Sequence, residues 1–322
     1  MISIVIPTRN NSSTIKCLLD SLKIQSFKDF EVVIVDSSID NTPIIASQYN
    51  FVKIIKCPPL GANLARNIGI NNAKGEIIAF TDGDCRVEKD WLKNIYTFFK
   101  KNPEIHVVGG SVYTARELRG NIIADYYNDA LWPMMPIYSH EMEVKIDNFH
   151  LIRPPNSNNL SIRKKIFENK LFFDENFRGG YEETELLWRI LLRGYRVKVS
   201  PKICVEHFHT KSLSKLLKRA YNYGRGHYIF LRKYRNSPLA LYGSILIYIY
   251  MFLYIPLIFI TIYFNYIGSI LLLLAPYIVF MFGYLRRKIW RRMLIYPFID
   301  LIFYTFMALG FIKEKISRYL YG

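Results

Sequence analysis

The feature that most restricts this chain is a run of fifty residues, 236 to 285, without a single Lys, Arg, Asp or Glu. Two segments within it, Leu239 to Phe264 and Ile267 to Leu285, are each long enough to cross a hydrocarbon layer of about 30 Å as a helix. Asn265 and Tyr266 leave only a tight turn between them. The basic segment Arg286-Arg287-Lys288-Ile289-Trp290-Arg291-Arg292 then belongs on the cytosolic side, where positive loops are retained. Met293 to Ile312 is a third candidate, interrupted by Asp300, and either spans or lies against the other two.

Charge follows the same division. Of the net +17, sixteen Lys and Arg from Lys211 onward face only Asp300 and Glu314, which puts +14 in the last third and leaves about +3 for the first 210 residues. Lys211 to Asn236 holds eight of those bases and no acid, interleaved with Leu213, Leu216, Leu217, Tyr221, Tyr223, Tyr228, Ile229 and Phe230. Such a mixture suits nucleic acid or an anionic lipid surface. The uncharged run that follows decides for lipid, so a membrane and no nucleic acid is the expected partner.

The first 210 residues read differently. Four cysteines, Cys17, Cys57, Cys85 and Cys204, show no metal or redox spacing and fit a reducing compartment. Met1-Ile2-Ser3-Ile4-Val5-Ile6-Pro7 lacks the basic start of a signal peptide, so this part is expected in the cytosol. Short apolar runs at Ile2–Ile6, Phe30–Val35, Val52–Lys56, Ile77–Thr81 and Val107–Tyr113 alternate with helical stretches near 14–24, 43–49 and 61–75. That alternation predicts right-handed crossovers and a mostly parallel central sheet of α/β class. Residues 121 to 155 lack periodicity, and Trp132-Pro133-Met134-Met135-Pro136 reads as a surface loop or lid.

Ile77 to Thr81 is the strand on which chemistry converges, because it delivers Asp82-Gly83-Asp84 to a sheet edge. Ligands bind at the carboxyl ends of such strands, and two carboxylates there suit Mg2+ or Mn2+ serving a phosphate; an ordinary Asp-Gly turn is the alternative. Upstream, Gly61-Ala62-Asn63-Leu64-Ala65-Arg66-Asn67-Ile68-Gly69 has small residues that let a helix lie close to a sheet or ligand. Arg66 stands where guanidinium and helix dipole could meet a pyrophosphate, or is merely solvated.

Ile6-Pro7-Thr8-Arg9-Asn10, Asp36 after the second strand, Gly61-x-x-x-Ala65-Arg66-Asn67-x-Gly69 and Asp82-Gly83-Asp84, in this order, resemble the nucleotide-binding half of family 2 inverting glycosyltransferases of GT-A fold. The resemblance implies that Asp36 reads the nucleobase, Arg66 approaches base or phosphate, Asp82 touches the ribose and Asp84 holds the metal. Pro7 and Arg9 would line the same substrate site. One departure is that Ser37 and Ser38 follow Asp36, where many relatives carry a second acid. Asn156-Ser157-Asn158-Asn159-Leu160-Ser161-Ile162-Arg163 resembles the family's Asn-rich strand, with Arg163 toward substrate, although a loop with a helix N-cap reads equally well.

A second acidic cluster opens at Gly179-Gly180-Tyr181-Glu182-Glu183-Thr184-Glu185, where Glu185 and Arg189 have ion-pair spacing. Acids in a first turn also serve as plain dipole partners. The cluster resembles the family's Glu-Asp-x-Glu-Leu motif, which implies Glu183 as general base in place of Asp and Glu182 beside substrate. His207 and His209, two apart on a strand from Val205, share a face. The resemblance favours His207 as a metal ligand with Asp84.

The expected organisation is a GT-A domain over 1–210, a basic interfacial segment over 211–237 and a transmembrane anchor of two to three helices over 238–322. The expected reaction moves a sugar from a nucleotide-diphosphate sugar to a polyprenyl phosphate or lipid-linked glycan. A processive synthase is the enzyme rival; residues 219 to 226 lack a Gln-x-x-Arg-Trp motif, which argues against it. An inactive membrane scaffold that keeps the fold is the other.

Overall fold

The computed structural model describes residues 1–132, 134–264 and 266–321. The elements run β1 (Ile2–Thr8), α1 (Ile15–Lys23), β2 (Phe30–Asp36), α2 (Thr42–Ala46), β3 (Val52–Lys56), α3 (Ala62–Asn72), β4 (Ile77–Phe80), β5 (Cys85–Val87), α4 (Trp91–Lys101) and β6 (Val107–Thr114). They continue with α5 (Ile122–Asp129), β7 (Met142–Val144), β8 (Leu160–Arg163), α6 (Lys165–Glu168), α7 (Glu182–Leu192) and β9 (Val197–His207). Helices α8 (Leu213–Lys233), α9 (Pro238–Ile249), α10 (Ile255–Phe264), α11 (Tyr266–Arg286) and α12 (Tyr296–Tyr321) complete the chain. Two compact units divide it: one of residues 1–120, 135–178 and 182–209, the other of 121–134, 179–181 and 210–322.

The first unit is a nine-stranded sheet with helices. Ile4, Val5, Ile6, Val32, Val33, Ile34 and Val35 are fully buried, as strands covered on both faces require. Helix α1 buries Ile15, Leu18, Leu19 and Leu22, one stripe at 3.6-residue spacing. Helix α3 lies so close to β1 that a Cβ on Gly69 would stand 2.3 Å from Val5, which explains the small residues of its motif. Strand order is β3-β2-β1-β4-β8-β6-β9-β5, with β7 also on β9.

The parallel arrangement holds for β1 to β4 and for β6 with β9. The other half is mixed, because β8 runs antiparallel between β4 and β6, and β5 and β7 run antiparallel to β9. The strand expected from Val205 is the end of a longer one, β9, which begins at Val197. It breaks register opposite Gly110 and Ser111, where Pro201, Lys202 and Ile203 bulge out. A Cβ on Gly110 would come within 2.0 Å of the Ile203 carbonyl, so only glycine admits the bulge. Asn159 seals it: its amide donates to the Ser111 and Ile203 carbonyls at 2.9 Å each, and its oxygen accepts from Trp91 Nε1. The Asn-rich stretch is thus a buried turn feeding β8, not a helix cap.

The aperiodic region also folds, with α5 and β7 inside it. The expected lid at 132 to 136 is mostly inward: Trp132 is exposed, but Met134 and Met135 are buried, and Met135 Sδ accepts from the Asn156 and Asn158 amides. Pro133 lies outside the described residues.

In the second unit, Pro238–Phe264 forms a continuous helical run, with a π-helical turn at Tyr250–Tyr254 joining α9 to α10. It and Tyr296–Leu320 are, among the described residues, the two helices long and apolar enough to cross a membrane. The second expected run falls in α11, and Asn265, where the turn was expected, lies outside the described residues. Asp300 does not break the third run, because it is fully buried and accepts hydrogen bonds from Tyr126 Oη at 2.5 Å and Tyr284 Oη at 2.6 Å. A buried carboxylate with two hydroxyl donors loses much of its desolvation cost.

Candidate active site

Strands β1, β2 and β4 end at one edge of the first unit, and the carboxylates follow those ends. Thr8 and Asp36, the last residues of β1 and β2, are register partners. Asp36 is buried; Oδ1 accepts from Thr8 Oγ1 at 2.7 Å and Ser38 Oγ at 2.6 Å, and Oδ2 from Ser38 N at 3.2 Å. Ser38, the departure noted above, therefore fixes Asp36 rather than adding a second charge. Pro7 sits within β1 opposite Val35, and Arg9 is exposed on the loop beyond, its N–H on Asn11 Oδ1.

The turn after β4 is held from below. Thr14 Oγ1 donates to the Gly83 carbonyl at 3.0 Å, and a Cβ on Gly83 would meet Asn11 at 2.9 Å. Asp82 Oδ1 accepts from Arg66 Nη2 at 3.0 Å, and Asn63 Oδ1 from Arg66 Nη1 at 3.3 Å. Arg66 is 5% exposed, and its buried Nε makes no hydrogen bond. The expected approach of Arg66 to substrate thus passes through an ion pair with Asp82.

Asp84 directly precedes β5, where Cys85 pairs in register with His207 of β9. Its backbone carbonyl accepts from Phe208 N at 2.8 Å, and its Oδ1 lies 3.3 Å from His207 Nε2. Two ligands at right angles, each about 2.1 Å from a small divalent ion, stand about 3.0 Å apart, so this pair fits one. The Cys85 sulfur lies within 4.8 Å of both, but burial, then Asp84 and Asp82, push its thiol pKa well up and keep it a thiol. Carboxylate and imidazole therefore form the fitting set, which suits Mg2+ or Mn2+. The His207 and His209 rings stack at 4.5 Å on one side of the chain, as their spacing implies.

Helix α7 supplies the other carboxylates. Gly179 and Tyr181 turn the backbone through positive φ (85° and 70°) into its first turn, which holds Glu182, Glu183 and Glu185. Glu185 is fully buried and bidentate to Arg189 at 2.8 Å, so it is structural. Glu183 is half-buried; burial first, then the charge of Glu182, push its carboxyl up to about 7, against the pull of Arg66 and Arg153. Arg153 was missed from sequence, where a single Arg before Pro154 and Pro155 gives no signal.

Arg163 is not brought to this site. It pairs with Ile77 at the opposite end of β4, and its guanidinium donates to the Ile105 and Phe99 carbonyls at 2.8 and 2.9 Å while covering the Phe99 ring. Carbonyls at the end of a helix attract a cation more strongly than a distant substrate would, so Arg163 caps α4.

The model of glycosyl transferase family 2 matches residues 3–167, just over half of the chain. The chain belongs to that family. The pre-mycofactocin glycosyltransferase of Mycobacterium tuberculosis is 25% identical over 227 residues, 69% of this chain but 46% of its own length. This family 2 chain thus spans about half of that relative. A dolichyl N-acetyl-alpha-D-glucosaminyl phosphate 3-beta-D-2,3-diacetamido-2,3-dideoxy-beta-D-glucuronosyltransferase of Methanococcus voltae is 25% identical over 249 residues, 72% of this chain and 74% of its own length. The mannosyltransferase PcManGT from Pyrobaculum calidifontis, solved in complex with GDP-Man and Mn2+, superposes with TM-score 0.65 at 18% identity, covering 98% of this chain and 87% of that one. That likeness identifies the fold as the mixed α/β GT-A type shared by family 2.

Proposed function

We propose that this protein transfers a sugar, with inversion, from a nucleotide-diphosphate sugar to a membrane-borne acceptor, a polyprenyl phosphate or lipid-linked glycan. The observation that carries the reading is Glu183: a half-buried carboxyl raised to about 7 in the unit that also holds Asp36, Asp82 and Asp84. A base with that affinity accepts a proton readily at neutral pH. Glu183 removes the acceptor hydroxyl proton as the oxygen attacks the anomeric carbon, and the bond to the diphosphate breaks on the opposite face. With an ionised phosphate acceptor the attacking oxygen carries no proton, and the role of Glu183 shrinks to orientation.

Asp36 meets the nucleobase, while Asp82, held by Arg66, meets the ribose. Pro7, Arg9 and Glu182 border the same site. Asp84 and His207 would hold Mg2+ or Mn2+, which when bound supplies positive charge to the departing diphosphate. Apolar helices after a basic segment support a membrane anchor with residues 1–210 in the cytosol. The names of relatives and fold neighbours, which speak of GDP-Man and of a dolichyl phosphate-linked sugar, support the donor and acceptor classes.

The test is product analysis: purified protein in lipid nanodiscs, a panel of radiolabelled sugar nucleotides, native polyprenyl lipids, and Glu183→Gln as control. Label is expected in the organic extract. Label appearing solely in a long water-soluble polymer would favour the processive synthase, and no label with any donor would favour the inactive scaffold. For topology, alkaline carbonate should leave the chain in the membrane pellet. An impermeant thiol reagent added outside cells should miss a cysteine placed at Ile289.

A further inference from the structure

The second unit contains sixteen Lys and Arg but four carboxylates, Asp125, Asp129, Asp300 and Glu314. Each carboxylate is already engaged. Asp125 pairs with Arg292, as does Asp129 at 3.5 Å; Asp300 receives Tyr126 and Tyr284; Glu314 pairs with Arg225 at 2.8 Å and Arg318 at 2.7 Å. Of the half-buried bases Arg219, Arg292 and Arg318, Arg219 is the one without a carboxylate partner among the described residues. It sits half-buried on α8, its guanidinium 5.6 Å from the Tyr127 ring and 5.8 Å from the Tyr223 ring.

A cation withdrawn from water and surrounded by neutral groups keeps an uncompensated charge, which a mobile anion can relieve. The Arg219 fork matches a phosphate in two directions at once. Tyr223, whose ring lies beside the Arg219 guanidinium, carries a hydroxyl that can donate to the same anion. Lys215 and Lys218 stand exposed nearby on α8 and attract negative charge to it. Further along the chain, α8 is followed directly by the apolar run that starts at Pro238.

We infer that Arg219, with Tyr223 and Tyr127, receives the phosphate of a membrane-borne lipid and thereby selects a lipid phosphate as the acceptor; this rests on the lipid-acceptor reading above. The assignment is tested by binding, apart from catalysis. The full chain in non-ionic detergent is titrated with a polyprenyl monophosphate, with phosphatidylglycerol and with inorganic phosphate, and bound ligand is counted by native mass spectrometry.

Polyprenyl phosphate should bind best, and its affinity should fall about tenfold or more in Arg219→Gln and severalfold in Tyr223→Phe, with binding of UDP or GDP unchanged. Arg219→Lys should recover only part, because an ammonium lacks the fork. If Arg219→Gln fails to fold, Tyr223→Phe, which removes one hydroxyl, carries the test. Unchanged lipid binding in the folded variants would overturn the assignment. So would phosphatidylglycerol binding as tightly as the polyprenyl lipid, which would mark a headgroup anchor, or inorganic phosphate binding as tightly, which would mark an adventitious ion only. Absence of sugar transfer with Arg219-dependent lipid binding intact would sink the proposed reaction and with it the acceptor role, leaving the lipid-phosphate site itself.

Discussion

The first unit presents two pairs of carboxylates in opposite electrostatic settings. Asp82 and Asp84 leave the end of β4 and each meets a base, Arg66 at 3.0 Å and His207 at 3.3 Å. Glu182 and Glu183 open α7 as neighbours in sequence, and burial, then the Glu182 charge, push the Glu183 carboxyl up to about 7. One chemical group thus does two jobs. Asp82 and Asp84 sit beside basic side chains; Glu183, beside another acid and half out of water, is a proton acceptor near neutral pH.

The largest effect expected from breaking this contrast is at Asp84. Asp84→Ala, or chelation of wild type by EDTA, should abolish transfer, with Mg2+ or Mn2+ restoring wild type alone; full activity in EDTA would remove the charge-holding role. Donor and metal should also strengthen each other's binding by the same factor, as linkage requires, and calorimetry in both orders of addition checks it.

Next comes Glu183→Gln. With a hydroxyl acceptor, turnover should fall by about 10² to 10⁴-fold while donor affinity changes little. Normal turnover would mean a phosphate acceptor that needs no base, or the wrong residue.

The pH profile sharpens the same point. The proposed base must act as the carboxylate, so wild-type kcat/KM should rise with pH through about 7, with roughly tenfold loss per unit on the acid side. Glu182→Gln removes the second cause of the raised pKa and should move that limb to lower pH. The stability sign is the reverse: a carboxyl raised above its unfolded value stabilises the fold at low pH and loses that contribution as pH rises through about 7. Glu183→Gln should therefore gain in melting temperature over wild type at pH 8 and not at pH 4. An acid limb that ignores Glu182→Gln would show that burial alone sets the base.

The smallest effects separate the supporting residues. Asp82→Ala should weaken donor binding more than turnover, as expected of the ribose contact proposed for the carboxylate that Arg66 holds. His207→Ala should raise the metal concentration needed for half activity, and His209→Ala should raise it less. A larger effect from His209 would reassign the ligand.

Local pattern named the strands. Apolar runs ending in polar turns matched β1 to β4 within about two residues, because a short apolar run bounded by turn residues is a local signal even for β3, which is partly exposed. The positions of Asp82 and Asp84 at a strand end were legible because a terminus is a local event in sequence, whereas Asp36 and Glu183 were singled out by the resemblance to family 2 motifs. The fifty uncharged residues likewise announced the apolar helices at every step, since no partner is needed to make them apolar.

Partnership was decided only by the tertiary structure. Whether Arg163 turned to substrate or to the carbonyls ending α4 depended on β8 pairing antiparallel with β4, a contact across 86 residues for Ile77 and Arg163 that no local pattern carries. The bulge at Pro201 to Ile203 and its closure by Asn159 needed β6, β8 and α4 together. Asp300, alone an objection to a membrane helix, became acceptable once two tyrosines distant in sequence donated to it. Residue type and element ends are properties of neighbours along the chain; the destination of a long polar side chain is fixed by what folding brings beside it.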